Sequence, residues 1–170
     1  IKRIKTKHEN TPLYALKSGA ASKTIGKKHA NSINKAKLLM SMLLANNIRA
    51  QYVLTNTRGS NVGLTDMPSL APYNKILLQI RTAKKSYYID PNSSKRLVFG
   101  MPASVQGQIA LLIKGKKGEL FVLPKDSPDK NMTKIIYTLN MNEDGIVSGR
   151  INVVITGLAT QNVKKELIEN

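Results

Sequence analysis

Residues 32–46 constrain the fold of this chain more than any other stretch. Ile33, Ala36, Leu39, Met40, Leu43 and Leu44 recur at three- and four-residue steps, the spacing of one face of an α-helix. Leu38 and Met42 widen that face until only a narrow stripe of Asn34, Lys37 and Ser41 stays polar. A helix this apolar is expected to be mostly enclosed, so the rest of the chain must supply the layer that covers it. Asn31 or Ser32 suits the N-cap. Asn46-Asn47 suits the other end, because asparagine tolerates the left-handed conformation that stops a helix.

The covering layer is legible downstream. Ile48 to Thr55 alternates as a strand, with Ile48, Ala50, Tyr52 and Leu54 on one side. Residues 56–72, rich in Asn, Gly, Ser, Asp and Pro, are expected to form a long surface loop. Lys75–Arg81 and Ser86–Asp90 predict two strands joined as a hairpin through Thr82-Ala83-Lys84-Lys85, with Pro91-Asn92-Ser93-Ser94 ending the pair. Lys75 then shares a face with Leu77 and Gln79, and Asp90 with Tyr88 and Ser86. Leu123-Pro124, Pro128 and Asn131 look like a linker. Beyond it, Met132–Leu139 and Ser148–Thr156 predict a second hairpin around Asn142-Glu143-Asp144-Gly145, followed by a helix-prone stretch at Asn162–Glu169. The expected organisation is a domain over 1–125, with a basic and weakly periodic segment at 1–30, and the start of a β-rich module over 131–170.

Charge and composition narrow the function classes. The 170 residues carry 27 Lys and Arg against 10 Asp and Glu, a net charge of +17. Positive charge is densest at the start: residues 1–37 hold +9, 38–100 hold +6 and 101–170 hold +2. Such a field attracts polyanions: nucleic acid, anionic headgroups or acidic polymers. Lysines that merely solubilise a surface give the same count. No Trp and 5% aromatic residues argue against a stacking platform for single-stranded nucleic acid. Lys114-Gly115-Lys116-Lys117-Gly118 is a basic turn that lacks the strand–loop–helix setting of a P-loop. The absence of cysteine excludes a disulfide framework, a thiolate metal site and a cysteine nucleophile within this sequence. Two histidines, His8 and His29, are too few for a zinc site, and no cofactor is expected. No apolar run approaches the roughly 20 residues that span a bilayer.

Three short motifs carry a resemblance. Ala30-Asn31-Ser32-Ile33-Asn34-Lys35-Ala36 opens the apolar helix, Pro72-Tyr73-Asn74-Lys75-Ile76 follows with Lys75 43 residues after Ser32, and Tyr88-Ile89-Asp90-Pro91 comes next, Asp90 lying 15 residues after Lys75. Their order and spacing resemble the bacterial transglutaminase-like superfamily, whose papain-type site is Cys-His-Asp. In that family the helix opens Gly-Asp-Cys-Lys-Asp-Lys-Ala, the next strand carries Phe-Asn-His and the third element Leu-Asp-Pro. Phe99-Gly100-Met101-Pro102 and Gln106-Gly107 are similar to a further family segment that wraps the core. The likeness spans roughly residues 25–160. It implies an α+β fold with a central buried helix against an antiparallel sheet, and part of a β module behind it. It places Ser32 at the cysteine position, Lys75 at the histidine position and Asp90 at the aspartate position, and would have them gather over the first turn of the helix.

A thiol enzyme needs a thiolate made by a helix N-terminus and an imidazolium, with a carboxylate orienting the ring. Only the carboxylate is kept. Three readings of Ser32, Lys75 and Asp90 follow: a serine put in place of cysteine by mutagenesis, a Ser32–Lys75 dyad, or an ion pair between Lys75 and Asp90 with Ser32 as N-cap. A carboxylate beside Lys75 works against a lysine base, which favours the third. Asn31, Asn74 and Tyr88 are candidate binding residues, and His29, three residues before Ser32, is a candidate substitute imidazole. The resemblance implies a catalytically inactive transglutaminase-like domain, a binding or structural module of a bacterial envelope protein in the periplasm or at the cell surface. Its expected partner is an acidic peptide, glycan or other envelope polyanion. An active Ser-dependent hydrolase or acyltransferase and a basic nucleic-acid-binding module are the rival classes.

Overall fold

The computed structural model describes residues 4–7, 13, 16–60, 72–93, 101–157 and 160. His8, most of the loop expected over 56–72, Phe99-Gly100 and the stretch 162–169 lie outside the described residues. The chain divides into two compact units, Ile1–Lys125 and Asp126–Asn170. It is an α+β protein with two antiparallel sheets, a short parallel ladder and one α-helix among the described residues.

In the first unit, β1 (Lys5–Thr6) and β2 (His29–Ala30) form a short parallel ladder leading into α1 (Ser32–Ala45). Asn31, and not Ser32, is the N-cap: its Oδ1 accepts the Asn34 N–H at 2.9 Å. At the other end Asn47 adopts φ 59°, the left-handed conformation that the asparagine pair predicts. Five strands follow: β3 (Ala50–Thr55), β4 (Lys75–Arg81), β5 (Ser86–Ile89), β6 (Ile109–Lys114) and β7 (Lys117–Val122). They pair in the order β5-β4-β3-β6-β7, each pair antiparallel. The basic segment at 114–118 is therefore a turn only at its centre, because Lys117 and Gly118 already belong to β7.

Period-2 alternation gives the sheet two apolar faces, and both are covered. On one, Ile76, Tyr52, Leu54 and Leu111 pack against Ile33 and Ala36 of α1, together with Leu13 and Tyr73. On the other, Val53, Leu77, Ala110 and Leu112 pack against Met101, Val105 and Leu123. Burial of each such aliphatic side chain is worth about 1.5–3 kcal/mol, so this double packing holds the unit together. α1 is enclosed only over its first half. Met42 and Leu44, expected inside, are 48% and 54% exposed, so the apolar pattern of the helix extends beyond the part that is covered.

The sheet is strongly coiled. Tyr88 on β5 and Phe121 on β7 are on opposite edge strands, yet their rings stack with centroids 6.2 Å apart and an interplanar angle of 22°. Four inter-strand steps would separate flat edges by roughly 19 Å. Curling brings them together around the Val53–Leu77 cluster. Gln106-Gly107 has a structural part here: Gln106 Nε2 donates to the Met101 carbonyl at 3.2 Å, and Gly107, at φ 72°, passes under the Lys125 side chain where a Cβ would collide.

The second unit contains β8 (Thr133–Met141) and β9 (Val147–Ile155), an antiparallel hairpin closed at Asn142–Ile146.

Candidate functional site

Lys75 opens β4, and Asp90 immediately follows β5, its antiparallel neighbour. Gln79 lies opposite Tyr88, and its amide donates to the Tyr88 hydroxyl at 3.0 Å, so the face expected from alternation is the face observed. On it Lys75 Nζ stands 2.8 Å from Asp90 Oδ2, with the two side chains 16% and 6% exposed. The other carboxylate oxygen, Oδ1, accepts the Asn92 N–H at 2.8 Å. Both oxygens of Asp90 are thus committed.

Ser32 is not joined to this pair. It stands in the first turn of α1, 3% exposed, and its hydroxyl hydrogen-bonds to neither Lys75 nor Asp90. The physical reason is the side on which the helix lies. Ile33 and Ala36 pack on the Ile76 face, whereas Lys75 and Leu77 belong to the opposite face. The expected meeting of the Lys75 and Asp90 faces over Ser32 is therefore replaced by a two-member ion pair. Nothing in this arrangement withdraws a proton from the Ser32 hydroxyl, and the Lys75 ammonium is engaged by a carboxylate.

Nothing in the sequence pattern singles out three further residues whose hydrogen bonds lead to the turn after Asp90. Lys35, one turn into α1, is 3% exposed and its Nζ donates to Thr6 Oγ1 at 2.9 Å. Thr6 Oγ1 in turn donates to Asn92 Oδ1 at 3.4 Å. A hydrogen-bonded path thus runs from α1 through β1 to the turn that holds Asp90. The available signals are Lys35 three residues after Ser32, and an Asn two residues after Asp90. Neither is specific, since helix lysines are usually solvated.

The candidate binding residues have structural partners. Asn31 caps α1 and its Nδ2 donates to the Lys17 carbonyl at 2.8 Å. Asn74 stitches the β3 exit to the β4 entry: its Nδ2 donates to Thr57 Oγ1, and its Oδ1 accepts the Thr57 N–H, both at 3.0 Å. Tyr88 accepts from Gln79 and stacks on Phe121. His29 is exposed in β2, paired in register with Lys5. Burial raises the Tyr52 and Tyr73 phenols above their ordinary value near 10. No group of three or more His, Cys, Asp or Glu suited to a metal ion occurs among the described residues. No helix among them is long and apolar enough to cross a membrane. Comparison with protein-family profiles, curated proteins and solved structures finds no match to the chain.

Proposed function

We propose that this chain is a non-catalytic binding module, a transglutaminase-like domain of papain type whose reactive residues have been replaced. One observation carries the reading: Asp90 spends both carboxylate oxygens on Lys75 and the Asn92 N–H, while the buried Ser32 hydroxyl bonds to neither. Lys75 and Asp90, at the positions that the resemblance gives to histidine and aspartate, form an ion pair, and among the described residues neither reaches the Ser32 hydroxyl to activate it. The order of helix and strands, the Ser32, Lys75 and Asp90 spacing and the Gln106-Gly107 segment support the family assignment, whereas the separation of Ser32 from the Lys75–Asp90 pair counts against it. Periplasmic or cell-surface placement in a bacterial envelope protein follows from that assignment.

The ligand is an acidic envelope polymer, either peptide or glycan. Residues 1–125 contain 22 Lys and Arg against four Asp and Glu, a net charge of +18, which concentrates anions at the surface of this unit. A fluorophosphonate probe tests the absence of chemistry: Ser32 stays unlabelled. Labelling that disappears in Lys75→Ala would instead establish the Ser-dependent hydrolase. Titration with poly-glutamate tests the ligand class: binding present at about 50 mM salt weakens steeply by about 300 mM. Tighter, equally salt-sensitive binding of duplex DNA would replace this ligand with nucleic acid.

A further inference from the structure

The second hairpin exposes an apolar face that its own two strands cannot cover. The β8–β9 register sets Ile135 against Val153, Tyr137 against Ile151 and Met141 against Val147 on one side, with Leu139 opposite Gly149. These large side chains are 47–73% exposed. The other side is mixed, with Lys134, Thr138, Asn140, Ser148, Arg150 and Asn152 around Ile136 and Val154, so the Tyr137–Ile151 side is the more apolar of the two. A two-stranded hairpin by itself is marginal in water, and nine-residue strands with this bias need a second layer.

We propose that the second layer is the same hairpin of another copy of this chain, stacked face to face as a two-layer β-sandwich. Two quantities favour a second copy. The seven large side chains on the apolar side are each about half exposed or more, and together they offer an area of the order of the roughly 800 Å² that each partner contributes to a standard stable interface. Charge also permits self-contact at this unit alone: residues 126–170 hold five Lys and Arg against six Asp and Glu, net −1. A twofold axis through the sheet faces sets each Tyr137–Ile151 row against its equivalent, and such a contact closes on itself without growing into filaments.

The test uses the full 170-residue chain in sedimentation velocity at about 300 mM salt, which screens repulsion between the basic units. A dimer is expected at about 100 μM, and Tyr137→Lys and Ile151→Lys each convert it to monomer. Because the chain has no cysteine, single cysteines give an independent readout that does not require the lysine variants to fold. Leu139→Cys cross-links two chains under mild oxidation, and Thr138→Cys, on the polar face, does not. A chain that stays monomeric at about 100 μM overturns the proposal. So does a dimer that survives both lysine substitutions, or equal cross-linking from Leu139→Cys and Thr138→Cys.

Discussion

Asp90 holds its neighbourhood through two oxygens, one on Lys75 and one on the Asn92 N–H. Removing it by Asp90→Ala strands an ammonium that is 16% exposed and frees the turn, and should cost about 3 kcal/mol in urea unfolding. The double variant Lys75→Met/Asp90→Leu, which leaves no uncompensated charge, should recover most of that loss; equal losses in the two would show that packing matters here and charge does not. Tyr73, 4% exposed, predicts a pH effect. Its phenol is raised in the folded state by burial, so ionisation favours the unfolded chain first. The stability is fully present below the ordinary phenol value of about 10 and is lost as pH climbs through the raised one. Tyr73→Phe should flatten that alkaline decline in a thermal-unfolding series. The Lys75–Asp90 pair was legible because a strand has period two and fixes which side chains share a face. Ser32's isolation was not, because alternation along β4 does not say which face a distant helix covers. Lys35 was hidden for another reason: a charged side chain on a helix is assumed solvated until a hydroxyl such as that of Thr6 is brought to it from 29 residues away.

At the level of elements, the stacked Tyr88 and Phe121 rings join opposite edges of one sheet. A double-mutant cycle on Tyr88→Leu and Phe121→Leu should return a coupling of about 1 kcal/mol, as contacting aromatic pairs do. A coupling of zero would mean that the curl is held by the Val53–Leu77 cluster without them. Strands β3, β4 and β5 were written plainly in alternation and turn residues, and both helix ends in asparagines. Strand β7 was obscure because Lys117-Gly118-Glu119 is polar and its later residues Leu120 and Val122 are 59% and 64% exposed, as befits a sheet edge. The same cause explains why the apolar pattern of α1 promised more enclosure than exists. Periodicity records which way a residue faces, whereas burial also requires a partner surface of equal length. Coiling of the sheet brings together residues 33 positions apart, a contact which no local pattern encodes.

At the scale of the whole molecule, charge is divided unequally: +18 on residues 1–125 and −1 on residues 126–170. Self-repulsion within the first unit should make its thermal midpoint rise as salt increases from about 50 to 500 mM, and an unchanged midpoint would mean the lysines are spaced too widely to matter. The basic start is plain in the sequence, whereas the near neutrality of residues 126–170 emerges only once the unit boundary after Lys125 is drawn, since the count over 101–170 mixes β6 and β7 with it. The asymmetry has a practical consequence. A negatively charged resin or silica bead would grip this protein through its first 125 residues, and the residues from Asp126 onward would add nothing to the hold. Capture on such a support would need no tag, and raising the salt would release the protein.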